Sequence, residues 1–396
     1  MKCRSCAYPD NFELILDLGL MPLAGDFLEK TELSKKNKYD LEIYSCKSCG
    51  LVQILDHIDP NILFNQYSFS SSTVLPLVSH FENLAIEISR LIPPGSTILE
   101  IGCNDGILLS PLSKLGFKVQ GIDMSKNIVE IAKDKNLEVD FGKFDLAWVD
   151  NNPSFVEKFD LITCSNSFPH NFDQESLSKA FSICLKNDGV LILEIMYAGD
   201  LLNKLQWDTL YHEHLTFHSL TTLRQLLLRN GLNIFDAELI PMHGGSLRIW
   251  ASKETRSISH RMNIILEREV QENLSNFRTW AEFGIKSKRT IDNVSKILEP
   301  LAKNYEIAAY GAAGKATMWM NACNLDFIRY VVDASPLRYG KYMPGTLNPI
   351  VSPEDFRSKS PDIVLVTAWN YLENIKKNES WYPGLWCVPL PFLSFS

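Results

Sequence analysis

The chain has 396 residues, 45% of them apolar and 22% charged, which is too long for one ordinary domain and rich enough in apolar residues for several cores. Its net charge of -8 argues against a broad nucleic-acid-binding surface. The longest apolar runs, such as "GVLILEIMYAG", fall far short of the roughly 20 residues of a membrane span, and "MKCRSCAYPDNFE" lacks the apolar core of a secretory signal. A cytoplasmic protein with no nucleic-acid or membrane partner is expected.

Residues 1–75 carry four of the nine cysteines as two CxxC pairs, Cys3 with Cys6 and Cys46 with Cys49. Each pair presents two sulfurs from one tight turn, and four thiolates satisfy a tetrahedral zinc ion. With no open ligand position apparent, a structural zinc is expected; four unmetallated thiols are the alternative. Residues 76–252 change to alternating strands and helices. "STILEIGCNDGILLSPLSKLG" reads as strand, tight turn and amphipathic helix, and "FKVQGIDMS" as a strand ending in an acid. "FDLITCSNSF" and "NDGVLILEIMY" are two further buried strands. This is the rhythm of a doubly wound parallel sheet, whose ligands sit at the carboxyl ends of the strands. Residues 253–300 are polar and helix-prone and read as a connector. Residues 301–396 return to strand and helix in "EIAAYGAAGKATMWMNAC", "FIRYVVDASP" and "PDIVLVTAWNY", so a second Rossmann-like unit is expected there.

The first strand of the central unit runs into "LEIGCNDG", which supplies Glu100, Gly102, Asn104, Asp105 and Gly106 in the order ExGxNxG. A GxGxxG turn would seat a pyrophosphate, but acids at Glu100 and Asp105 would repel one. They suit a ligand with a cationic amino-acid group, such as S-adenosylmethionine. Asp123 ends the second strand, where a carboxylate can accept both ribose hydroxyls. Met124 beside it and Ser165 at the end of "FDLITCS" complete the expected cofactor contacts.

"DTLYHEHLTFHSL" packs Tyr211, His212, Glu213, His214 and His218 into eight residues. A zincin helix needs HExxH, and Thr216 stands where the second histidine would be. His214 and His218 at i, i+4 leave a metal pair formally open, and a polar helix start is the plain alternative. In the last unit "YGAAGKA" is not a Walker A loop. A helix N-terminus with Lys315 nearby suits a phosphate or, equally, a turn kept for packing.

Taken together, the two CxxC pairs, "YSFSSS", "LEIGCNDG", "SNSFPHN", the YHEH cluster, "HGGSLRIW", "YGAAGKA" and "GKYMPGTLNPI" resemble the sugar-nucleotide C-methyltransferases, the family that includes the C-3 methyltransferase of the tetronitrose pathway. The resemblance covers the whole chain. It implies a zinc-binding N-terminal domain, a Rossmann-like S-adenosylmethionine domain and a second, C-terminal Rossmann-like domain. It also implies a nucleotide-linked 4-keto-deoxyhexose of dTDP or GDP type, methylated at C-3 beside the ketone, and a monomer is expected. Tyr211, Glu213 and His214 match the family's catalytic residues, and Asn166 and His170 match residues beside the sugar. Tyr67, in "YSFSSS", is expected over the substrate, a hydroxyl-rich linker being the equal alternative for that stretch, and Lys315 at the nucleotide part. The chain departs from the family in having Phe217-His218 where relatives often show Tyr-Phe. His243 and Arg248 of "HGGSLRIW" lie either near the site or simply in a strand after a turn.

Carbon becomes nucleophilic only when an α-proton leaves and an enolate forms, so the chemistry asks for a base and a donor to the oxygen. Histidine suits the first, and a tyrosine hydroxyl or another histidine the second. His214 is expected as base with Tyr211 assisting, although the reverse assignment fits the sequence equally. Glu213 would orient an imidazole or bind a sugar hydroxyl. An O-methyltransferase acting on a sugar nucleotide, or a non-catalytic nucleotide-binding module, are the competing readings.

Overall fold

The computed structural model describes residues 1–34, 37–64 and 70–396. Three sheets account for most of its strands. The central one has seven, built on "TILEI", "LITC" and "LILEI", whose apolar side chains are buried on both faces. Its order is Asn233–Ile240, Ser246–Ser252, Leu185–Met196, Phe159–Ser165, Thr97–Ile101, Lys118–Asp123 and Val139–Phe141. The chain begins in the middle, winds outward to Val139–Phe141, then returns to place Phe159–Ser165 on the other side of Thr97–Ile101. That reversal opens a crevice at the carboxyl ends of these two strands.

The sheet is not wholly parallel. Ser246–Ser252 runs antiparallel to both neighbours because the tight turn through Met242–Gly244 folds it back on Asn233–Ile240. The C-terminal sheet places Ile350–Val351, Val331–Val332, Ile307–Tyr310, Ile363–Val366 and Leu385–Val388 in parallel, with Ser394–Phe395 antiparallel at the edge. Helices His260–Gln271 and Phe277–Leu301 lie between the two units in sequence.

The N-terminal sheet shows how the units are joined. Phe12–Met21, Tyr39–Cys46 and Val52–Ile54 form an antiparallel meander, and its fourth strand is Thr216–Phe217, borrowed from just after the YHEH cluster. Phe217 pairs with Val52 and Thr216 with Gln53, while the Ile54 amide donates to the Leu215 carbonyl at 3.0 Å. The cluster is therefore stitched into the cysteine-bearing domain. An antiparallel bridge between Leu28 and Tyr342 ties that domain to the C-terminal unit. One apolar core runs through all three, from Ile15 and Leu41 through Leu193 and Leu215 to Trp319 and Leu365.

Candidate active site

The two CxxC turns bring Cys3, Cys6, Cys46 and Cys49 together with all four sulfurs within 4.8 Å of one another. The Cys3–Cys49 and Cys6–Cys46 sulfur pairs are each 3.7 Å apart. Tetrahedral Zn–S bonds of about 2.3 Å place sulfurs about 3.8 Å apart, so the thiols already match the ion. Cys3, Cys46 and Cys49 are buried, and the four thiols alone complete a tetrahedral set. This is the geometry of a structural zinc. Among the described residues no other metal-ligand cluster of three or more side chains forms.

At the mouth of the crevice the "LEIGCNDG" turn takes left-handed backbone at Gly102, Asn104 and Gly106, with φ of 70°, 49° and 79°. Gly102 is required twice over, because a Cβ there would come within 2.4 Å of Ser167. Glu100, Asp105, Asp123 and Glu194 gather at these strand ends. Burial, then the charges of Asp123, Asp105 and Glu194, push the Glu100 carboxyl well above its usual range. Burial likewise raises Asp123. Such a crowd of carboxyl groups favours a cation. Four buried polar atoms here have no hydrogen-bond partner: Glu100 Oε2, Asp105 Oδ1, Ser165 Oγ and Asn166 Oδ1. Buried polar atoms are rarely left so, and a polar, cationic ligand such as S-adenosylmethionine fits both facts.

The expected cofactor residues differ in how they stand. Asp123 accepts the Asn104 amide on one oxygen at 2.9 Å and the Ser125 amide on the other at 2.8 Å, which aims its carboxylate across the turn. Met124 follows it, half-buried. Asp105 turns one oxygen away from the crevice, accepting Ser70 Oγ at 2.7 Å and the Ser72 amide at 3.2 Å and pairing with Lys135 at 3.3 Å. It fastens the chain before helix Leu75–Leu91 over the turn. Tyr67 lies outside the described residues.

Asn166, with φ 56°, follows Ser165 and donates its amide to the Glu194 carbonyl at 2.7 Å. The short helical turn Phe168–His170 then carries His170 to the cluster, and the Leu215 amide donates to the Pro169 carbonyl at 2.9 Å. The His170 and His214 rings are 5.0 Å apart, and the Tyr211 ring lies against His214 at 3.9 Å. His214 Nδ1 is 2.7 Å from the Thr209 carbonyl oxygen. A carbonyl can only accept, so Nδ1 carries the proton and Nε2 presents its lone pair. Burial, then His170, with Lys315 and His243 adding, hold this imidazole well below its ordinary pKa and therefore neutral. Glu213 is buried against Gly25 of the N-terminal domain, whose amide donates to it, and burial pushes its carboxyl up to about 7.

The remaining histidines separate cleanly. His218 Nε2 is 2.9 Å from Gln174 Oε1 and Nδ1 is 3.2 Å from Thr222 Oγ1, fully enclosed, with burial lowering its pKa to about 3. The residues between it and His214 are strand rather than helix, so the two share no face and the formal metal pair does not form. His212 packs on Tyr39 and reaches the Tyr39 and Asp40 carbonyls at 3.3 Å. His243 occupies the turn before Ser246–Ser252 with φ 53°, where it feels the Lys315 charge and is itself felt by His214. Arg248 is buried in the strand Ser246–Ser252 and binds Glu194 at 2.6 Å, Glu87 at 2.7 Å and Glu238 at 2.9 Å.

Three groups were not anticipated. Glu194 sits beneath the crevice, paired with Arg248 and with His80 Nε2 at 2.8 Å. An acid inside the apolar run "LILEIM" was its available signal. Asp208, fully buried, accepts the indole N–H of Trp319 at 2.9 Å and of Trp369 at 2.7 Å, both from the C-terminal unit. Gly25, the donor to Glu213, carries no signal in the sequence at all. Lys315, expected at the nucleotide part of the substrate, lies 4.0 Å from the centre of the Trp369 ring on a helix whose first residue meets Tyr211, and its charge reaches His214.

Comparison with known proteins agrees with this layout. Residues 3–64 match a family described as a zinc binding domain, residues 80–237 a methyltransferase domain, and residues 241–391 a C-methyltransferase C-terminal domain. The chain is 28% identical over 401 residues to the C-methyltransferase NovU of Streptomyces niveus, covering 98% of this chain and 95% of that protein. It is 34% identical over 103 residues to a ubiquinone biosynthesis O-methyltransferase of Actinobacillus pleuropneumoniae serotype 5b, covering 24% of this chain and 44% of that one. A solved TehB-like SAM-dependent methyltransferase from Corynebacterium glutamicum aligns with a TM-score of 0.34 at 19% identity, over 44% of this chain and 88% of that one. In chain order, then, the protein is similar to a zinc binding domain, a methyltransferase domain and a C-methyltransferase C-terminal domain, the parts of an S-adenosylmethionine-dependent methyltransferase.

Proposed function

We propose that the protein methylates the ring carbon next to the ketone, C-3, of a nucleotide-linked 4-keto-deoxyhexose through an enolate, as a cytoplasmic, monomeric enzyme of deoxysugar biosynthesis acting on a dTDP- or GDP-linked substrate. The observation that carries this reading is the fixed tautomer of His214. Its Nδ1 proton is committed to Thr209, which leaves Nε2 as a base beside Tyr211 and His170. O-methylation of a hydroxyl asks less of a site, because a hydroxyl oxygen is already a nucleophile.

S-adenosylmethionine, when bound, supplies an electrophilic methyl group. Glu100 and Asp123, with Asn104, Met124 and Ser165 around them, would hold it at the strand ends, and Asp105 would close the turn from outside. His214 Nε2 removes the α-proton. Burial that keeps His214 neutral also makes its protonated form costly, and the enolate formed beside it offsets that cost. Tyr211 assists at the substrate oxygen or a neighbouring hydroxyl, while Asn166 and His170 face the sugar from the adjoining strand end. Glu213 positions the loop through the Gly25 amide.

The test is His214→Ala. It should abolish methylation of the keto-sugar nucleotide, a loss of at least about 10²-fold, while calorimetry shows S-adenosylmethionine affinity near that of the parent. Unimpaired turnover would remove His214 from the role of base.

A further inference from the structure

The C-terminal unit delivers one positive charge to the cluster. Lys315 is the second residue of helix Gly314–Ala322, and Gly314 lies against the Tyr211 ring. A Cβ on Gly314 would stand 3.0 Å from Tyr211 Cζ and 3.2 Å from its hydroxyl, so the helix start and the phenol meet without a side chain between them. The Lys315 ammonium is held over the Trp369 ring at 4.0 Å and lies 3.4 Å from Asn370 Oδ1. Trp369 is in turn fixed by its indole N–H on the buried Asp208, which also anchors Trp319 of the Lys315 helix. Asp208 stands three residues before Tyr211 in the chain. One buried carboxylate thus positions both the loop that bears the cluster and the aromatic shelf under the ammonium.

This placement suits an oxyanion better than a diphosphate. The ammonium rests on the Trp369 ring, its helix starts against the Tyr211 ring, and its charge reaches His214 and His243, the groups expected around the reacting carbon. A single desolvated donor there acts strongly on one developing charge. We propose that Lys315 is the electrophile of the reaction, donating a hydrogen bond to the substrate carbonyl oxygen as it becomes the enolate. The inference rests on the C-methylation reading above. In the step it serves, the α C–H bond breaks and its proton passes to His214 Nε2. The C–H electron pair becomes the C=C bond, and the carbonyl π pair moves onto the oxygen that Lys315 meets. No oxidant or reductant is involved.

The experiment follows solvent deuterium entering the carbon beside the ketone without methyl donor, together with steady-state methylation, in the parent, Lys315→Met and Lys315→Arg. Lys315→Met should slow exchange and kcat together by about 10²–10³-fold, with KM for the sugar nucleotide within about threefold, and Lys315→Arg should recover part of the rate. Unchanged melting temperature and S-adenosylmethionine affinity establish that the variants are folded. If Lys315→Met misfolds, the same split is read from Lys315→Arg and Lys315→Gln. A raised KM with kcat and exchange intact would make Lys315 a phosphate anchor and overturn the inference. Absence of exchange in the parent, with methylation found on oxygen, would instead overturn the underlying reading.

Discussion

Glu213→Gln probes the link between the N-terminal domain and the cluster through the pH dependence of stability. The Glu213 carboxyl is enclosed beside Gly25, and burial raises it from 4.5 to about 7 in the folded protein. Below the unfolded value both states carry the proton. Between the two values the folded protein retains a proton that the unfolded chain has released, so stability falls as pH rises through this window and is flat above it. A rise of that size corresponds to about 3 kcal/mol across the window. Glutamine keeps an oxygen for the Gly25 amide but cannot titrate. The parent should therefore lose about 3 kcal/mol relative to Glu213→Gln between about pH 4.5 and about pH 8. Urea unfolding of both proteins at several pH values, with zinc saturating, measures it. Zinc binding and the histidines affect both chains alike and cancel in the difference. A gap that stays constant with pH, or widens in the opposite direction, would refute the idea that Glu213 is held protonated by burial.

The other expected outcomes are simpler to read. Elemental analysis should find one zinc per chain, and Cys46→Ser should lose it together with activity, because the sheet that pairs Val52–Gln53 with Thr216–Phe217 depends on the thiol cluster. Full activity in a metal-free chain would contradict a structural zinc. His218→Ala should cost about 2–4 kcal/mol of stability, since it empties a closed site and strands Gln174. Its kcat at low temperature should change little, whereas a large fall in kcat without loss of stability would return His218 to the chemistry.

Much of the cofactor side could be read from the sequence because its determinants are local. The ExGxNxG turn, Asp123 at a strand end and the two CxxC turns each carry their geometry within a few residues. The crevice follows from the strand order that their spacing implies. The YHEH segment stood out by its residue types, but its shape was not legible. Thr216–Phe217 becomes a strand only because Val52–Gln53, far away in the chain, offers an edge to pair with, and no local pattern contains that. For the same reason His218 could not be placed. Its partners, Gln174 and Thr222, come from two different helices. For Lys315 a glycine-flanked helix start suggests a phosphate by itself, and its surroundings are invisible locally. The approach of its helix to Tyr211 is set by Asp208, Trp319 and Trp369, a contact between units distant in sequence. Arg248, legible either as near the site or simply as part of a strand, lies in the strand with Glu194, Glu87 and Glu238 around it, partners no local pattern names.

The central claim is that the methyl group goes to carbon beside a ketone on a nucleotide-linked sugar. It is tested most directly by incubating the protein and S-adenosylmethionine with a panel of dTDP- and GDP-linked 4-keto-deoxyhexoses, and locating the new methyl group by mass spectrometry and NMR. One product bearing a C-methyl group at C-3 is the expected result. A methyl ether, or no product from any 4-keto sugar nucleotide, would contradict the account.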